Sequence, residues 1–186
     1  MSWRWGVRVR SVALEPGTPR RETSWALARR MLPPSAALST RCPACGADDH
    51  GPVRVSGVAA RASVAYAGDR AFVAVSTDPR VRALGIDAER RRAPVRDAAG
   101  YDGLFAPEVP PSVRSWTRVE AVLKALGTGI RRDPRTVRPS GTRRRWRVSL
   151  EDADIIGWDP HVARGFRVSV AARVGDPGVP SGRSRR

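Results

Sequence analysis

Apolar and charged side chains alternate over residues 3–14 (WRWGVRVRSVAL), a period of two that predicts a half-buried strand. The next periodic stretch, 21–32, changes to helical spacing, with Trp25, Ala28 and Leu32 on one side and Pro33-Pro34 as its stop. Residues Ser35 to Pro52 lack periodicity and read as a loop, which carries Cys42, Cys45 and His50. Strand patterns return at 60–66, 71–76 and 83–88, and Ala67-Gly68-Asp69-Arg70 reads as the hairpin turn between the first two. Residues 90–112 are rich in Arg and Pro and read as mixed helix and loop. The strongest helix signal is 112–126, where Val113, Trp116, Val119, Val122, Leu123 and Leu126 repeat at helical spacing before Gly127. The arginine-rich segment 131–147 reads as too polar for a core. Two more strands are expected at 145–150 and 166–174, then a disordered tail. Strands and helices interleave without regular βαβ alternation, so the expected class is α+β. No tandem repeat is evident.

The length of 186 residues suits one domain, or one built from two similar halves, and 41% apolar content excludes a disordered chain. No apolar run reaches the roughly 18 residues of a membrane span, and MSWRWGVRVR lacks a signal-peptide core. Two cysteines cannot staple a secreted scaffold, so a cytoplasmic protein is expected. The net charge of +16 comes from 33 arginines and a single lysine, Lys124. That bias reflects GC-rich coding in part, yet a positive surface still attracts nucleic acid, phosphorylated ligands or acidic proteins.

Two short constellations carry candidate chemistry. In LGIDAER, strand geometry points Asp87 and Glu89 to one face. Carboxylates about 7 Å apart repel by about 2 kcal/mol at an effective dielectric near 20, and a hard cation between them converts that repulsion into a binding site. On the helix, Glu120 and Lys124 are i and i+4 neighbours at the border of the apolar stripe. By themselves they could equally be an ordinary helix ion pair.

Taken together, G-I-D-A-E and, some thirty residues on, W-T-R-V-E-A-V-L-K-A-L-G resemble the two signature motifs of the Sfp-type 4′-phosphopantetheinyl transferases. Gly85-Ile86-Asp87-Ala88-Glu89 fits the family's (V/I)-G-(I/V)-D-x-E strand. Trp116, Glu120, Ala121 and Lys124 fit its (W/F)-x-x-K-E-(A/S)-x-x-K helix. The preceding HGPVRV…ASVAYAGDRAFVAVS resembles the family's G-K-P and S-H-S segments, so the likeness covers roughly 41–130. The chain departs from the pattern at Val119, where the family has lysine, and at Ala65-Tyr66-Ala67, where it has S-H-S.

The resemblance implies a pseudo-dimeric α+β fold, with halves near 1–80 and 81–175 and a tail at 176–186, acting as a monomer. It implies Mg²⁺ held by Asp87, Glu89 and Glu120, with Glu120 and Lys124 catalytic. Coenzyme A would lie between the halves, near Arg54, Tyr66, Ala67, Asp87 and Lys124, with Arg29 and Arg30 of the first helix as further contacts. The partner would be an acidic apo carrier protein, steered by positive charge, with 131–147 as the docking element. A second reading, a basic nucleic-acid-binding protein, explains the charge but leaves the two motifs and the lone lysine as coincidences. A third is a degenerate transferase in which Ala65-Tyr66-Ala67 and Val119 have weakened coenzyme A binding.

Cys42-x2-Cys45-x4-His50 matches three ligands of a zinc knuckle, but the fourth position is Val55, which favours a plain loop. Trp3, Trp5, Trp25, Trp146 and Trp158 interleave with arginines, as in single-strand binders, but their spacing suits core positions.

Overall fold

The computed structural model describes residues 6–42, 44–91, 103–151 and 153–175, and among them are ten strands and two α-helices. In chain order these are β1 (Arg8–Ala13), α1 (Arg20–Met31), β2 (Ala37–Thr40), β3 (Val53–Ser56), β4 (Arg61–Ala67), β5 (Arg70–Ser76) and β6 (Val81–Arg90). Then come α2 (Val113–Leu126), β7 (Ser140–Gly141), β8 (Trp146–Leu150), β9 (Ala153–Trp158) and β10 (Phe166–Val174). The class is α+β, as the pattern predicted. No helix among the described residues is long and apolar enough to cross a membrane.

Every strand pair is antiparallel: one sheet runs β1-β5-β4, a second runs β6-β10-β9-β8-β7, and β2-β3 form a separate ribbon. The β4–β5 turn lies within the expected segment. Ala67 pairs with Arg70, leaving Gly68 and Asp69 as a two-residue loop, and Gly68 takes a φ of 54° that side chains with a Cβ disfavour.

Side-chain alternation sets the layer order. On β5, Phe72 and Ala74 join a core shared with Leu84, Ile86, Val168 and Val170 of the larger sheet. Val73 and Val75 point the other way, into a core with Ala28, Met31 and Leu32 beside α1. The far face of the larger sheet packs on α2 through Val119, Val122, Leu123, Trp146, Val148 and Ile155. The stack is therefore α1, small sheet, large sheet, α2. Each fully buried large apolar side chain in it contributes about 1.5–3 kcal/mol.

α2 is closed at both ends by its own sequence. Ser112 Oγ accepts from the Ser115 N–H at 3.0 Å, and Gly127 adopts the left-handed region with φ 70°.

Several expectations need correction. The segment Ser35–Pro52 is not all loop: β2 lies within it and pairs with β3 just beyond. β9 has no counterpart in the sequence pattern, because ADIIGW has no clean alternation, and it exists as a strand through pairing with β8 and β10 on either side. The segment 131–147 does enter the core, through fully buried Val137 and through Trp146, 1% exposed. On α1 the buried positions are Ser24, Ala28 and Met31, so Trp25 is rotated away from the core. Trp146 and Trp158 are core residues as expected. Trp3, Trp5, 92–102 and the tail at 176–186 lie outside the described residues.

Candidate functional site

Strand β6 is the central element of the site. Leu84, Ile86 and Ala88 fill the inter-sheet core, which sends Gly85, Asp87 and Glu89 to the opposite face, toward α2. Gly85 permits that approach: a Cβ there would collide with the Ala121 carbonyl oxygen and lie 2.5 Å from the Ala125 nitrogen. With the backbones so close, Lys124 Nζ reaches Asp87 Oδ1 at 2.6 Å. Asp87 is buried, and its side chain retains 9% exposure against 32% for Lys124. Seven residues earlier on the helix, Thr117 bonds to Ser169 at 2.9 Å, and Ser169 is the β10 partner of Asp87. Glu120 lies between these two attachments, half-buried, on the stretch of α2 that covers the Asp87 end of the strand.

The donor set suits a hard divalent cation, because the three side chains offer carboxylate oxygens on facing elements. Their oxygens do not form a cluster as tight as the one formed by Cys42, Cys45 and His50. Asp87 is engaged by Lys124, and Glu89 and Glu120 each have interactions of their own. Arg167 stands opposite Glu89 in the β6–β10 register. Burial, then Arg114 and Arg91, draw its guanidinium below the usual arginine range.

Beside this strand–helix pair lies a cleft of about 940 Å³, walled by α1, the β2–β3 loop, β4, β6 and the C-terminal end of α2. Its size is at the upper end for small-ligand pockets. Among the described residues, seven cationic side chains line it (Arg20, Arg21, Arg54, Arg61, Arg82, Lys124 and Arg131) against one carboxylate, Asp49. Arg54 and Tyr66 both line it, and the Tyr66 hydroxyl shares a 2.7 Å bond with Ser24 Oγ. Ala67 packs into the inter-sheet core instead, on the same side of β4 as Ala65. Asp87, Glu89 and Glu120 do not line the cleft, so Lys124 is the side chain common to it and the carboxylate pair.

From α1 it is Arg20 and Arg21 that reach the cleft, not Arg29 or Arg30. Trp25 also lines it, with the Arg21 and Arg29 guanidinium groups over its ring at 5.2 and 5.7 Å. Sequence reasoning missed Arg20, Arg21, Arg61, Arg82 and Arg131. With 33 arginines in the chain, none carried a distinguishing signal.

The loop after β2 brings together Cys42, Cys45 and His50, whose ligand atoms all lie within 4.8 Å of one another. The backbone N–H groups of Cys45 and Ala44 lower the Cys42 thiol to about 7. The hydrogen bond that His50 donates to Asp49 raises the imidazole, and the same bond holds Asp49 below the usual carboxylate range. Val55, the position where a knuckle has its fourth ligand, packs instead against the core beside α1.

A second buried charge network stiffens the far end of α2. Asp159, 6% exposed, accepts from Arg118 Nη2 at 2.9 Å, Trp146 Nε1 at 2.9 Å and Ser169 Oγ at 3.1 Å. It fastens the helix to β8 and β10, so α2 meets the sheet at a fixed height. No protein-family model matches the chain, and no curated protein matches it.

Proposed function

We propose that the chain transfers 4′-phosphopantetheine from coenzyme A to a serine of an apo carrier protein, as a transferase of the Sfp type. The observation that carries this reading is the Lys124–Asp87 contact at 2.6 Å, which joins the two signature segments at the edge of a basic cleft. The one-helix-per-sheet stack supports a pseudo-dimeric fold with halves at 1–80 and 81–175. The excess of cations in the cleft suits a ligand with three phosphates.

In this reading the serine hydroxyl attacks the β-phosphate of coenzyme A. The new O–P bond forms as the pyrophosphate bridge breaks, and adenosine 3′,5′-bisphosphate leaves. Such transfers depend on positioning and charge neutralisation more than on covalent help. Asp87, Glu89 and Glu120 would hold Mg²⁺, which supplies charge neutralisation on the pyrophosphate. Glu120, directly or through water, takes the serine proton. Lys124 stabilises charge on the leaving phosphate oxygen. Arg54 and Tyr66 contact the 3′-phosphate, and Ala67, in the inter-sheet core, backs the strand that carries Tyr66. An acidic carrier docks on the exposed arginines of the β7–β8 region, Arg143, Arg144, Arg145 and Arg147.

Intact-mass spectrometry of an apo carrier incubated with the protein, coenzyme A and Mg²⁺ tests the reading. A phosphopantetheine-sized gain is expected, and it disappears with EDTA, Asp87→Ala or Lys124→Ala. No gain on several carriers from folded protein would overturn it.

A further inference from the structure

The geometry points to a Zn²⁺ site in the loop between β2 and β3, ligated by Cys42 Sγ, Cys45 Sγ and His50 Nε2 and separate from the carboxylates of β6 and α2. This inference does not depend on the transferase reading.

Ligand atoms around a tetrahedral zinc ion with bonds of about 2.0–2.3 Å are about 3.3–3.8 Å apart. Cys45 Sγ and His50 Nε2 are 3.3 Å apart, and all three ligand atoms fall within 4.8 Å of one another. The chain therefore needs only small side-chain rotations to close on an ion.

The backbone is already folded for the purpose. Cys42 N–H donates to Ala47 O at 2.7 Å, and Gly46 N–H turns back to Cys42 O at 2.9 Å with Gly46 at φ 75°. The imidazole is held as well: His50 Nδ1 bonds to Asp49 Oδ1 at 2.6 Å, which leaves Nε2 facing the sulfurs. A carboxylate behind a metal-binding histidine fixes its tautomer and orientation.

Two thiolates and an imidazole select zinc over Mg²⁺, which prefers oxygen. Val55, half-buried against the core beside α1, supplies no ligand at the fourth position of the spacing. The loop has few other anchors. Among its described residues from Ala44 to Pro52, all but Ala47 are exposed. Its other ties include Arg21 Nη1 to the Asp49 carbonyl at 2.8 Å and to the Asp48 carbonyl at 3.4 Å, and Thr40 Oγ1 to the Asp48 carbonyl at 2.5 Å. Zinc would crosslink this segment and so stiffen the cleft wall that carries Asp49, His50 and Arg54.

The test uses the full chain, purified under reducing conditions without chelator or added metal. Elemental analysis should find about one zinc per chain. After stripping, Co²⁺ should give thiolate-to-cobalt charge-transfer and tetrahedral d–d bands that Zn²⁺ displaces and excess Mg²⁺ does not. Cys45→Ser and His50→Ala, each checked for folding by circular dichroism, should lose stoichiometric metal. Asp49→Asn should keep the site but weaken zinc about 10–100-fold against a chromophoric chelator. Reduced, folded wild type that holds no zinc and cannot compete with the chelator overturns the site. So does equal zinc binding by wild type and Cys45→Ser.

Discussion

Lys124 Nζ meets Asp87 Oδ1 at 2.6 Å, which ties the only lysine of the chain to a carboxylate 37 residues earlier. The pair borders the cleft on one side and the sheet core on the other.

Replacing Lys124 by Met leaves the buried Asp87 without its cation. Stability in urea should fall by about 1–2 kcal/mol, discounted for the partial exposure of the ammonium. Transfer to a carrier should fall at least about 100-fold. Lys124→Arg should recover the stability and only part of the rate. Wild-type transfer by Lys124→Met, measured by intact mass against time, would remove this residue from the chemistry.

Gly85 should tolerate no side chain. Its Cβ would meet the backbone of Ala121 and Ala125 rather than a flexible side-chain end, so the helix itself must move. Gly85→Ala is expected to cost about 1–3 kcal/mol or more, seen as a lower urea midpoint at unchanged slope. It should also lower transfer in the folded fraction, because Lys124 moves with the helix.

Asp159→Ala strands the Arg118 guanidinium, whose side chain is only 9% exposed. A loss of about 3–5 kcal/mol is expected, as for other broken buried ion pairs. The double variant Arg118→Met/Asp159→Leu should recover a large part of it. Urea titrations of the two singles and the double measure the coupling. A purely additive double would show that the pair does not act as a unit.

If Arg54 holds the 3′-phosphate of coenzyme A, its loss should matter only when that phosphate is present. Arg54→Ala should raise the KM for coenzyme A about 10-fold, the equivalent of one charge-assisted bond, and leave the KM for dephospho-coenzyme A unchanged. Equal effects on both substrates would place Arg54 elsewhere.

Reversing charge at Arg143 and Arg145, both exposed, should lower kcat/KM for an acidic carrier and leave kcat unchanged. The dependence of kcat/KM on ionic strength should flatten as well. An unaltered salt slope would move the docking surface away from this hairpin.

How much of this was legible in the sequence follows from which signals are local. The span of α2 was readable because the apolar stripe and the Gly127 stop are local signals, whereas the Ser112 cap is seen only in the structure. The β4–β5 hairpin was readable for the same reason: two alternating runs meet at Gly68-Asp69. Facing of Asp87 and Glu89 to one side followed from the strand period alone, and the sequence already singled out Lys124 by its rarity.

Tertiary structure decided the rest, because the deciding contacts join residues far apart in the chain. β2 and β3 become a ribbon only by pairing across the cysteine loop, and β9 becomes a strand only between β8 and β10. Trp25 faces the cleft because Ser24, Ala28 and Met31 fill the space beneath α1, a choice that helical periodicity left open. The arginines of the cleft come from α1, β3, β4, β6 and the turn after α2, and only folding selects those few from 33. Local pattern and capping thus determined which segments are helix or strand. Burial on both faces of β5 and β6 determined how they stack, and so which charges share a cleft.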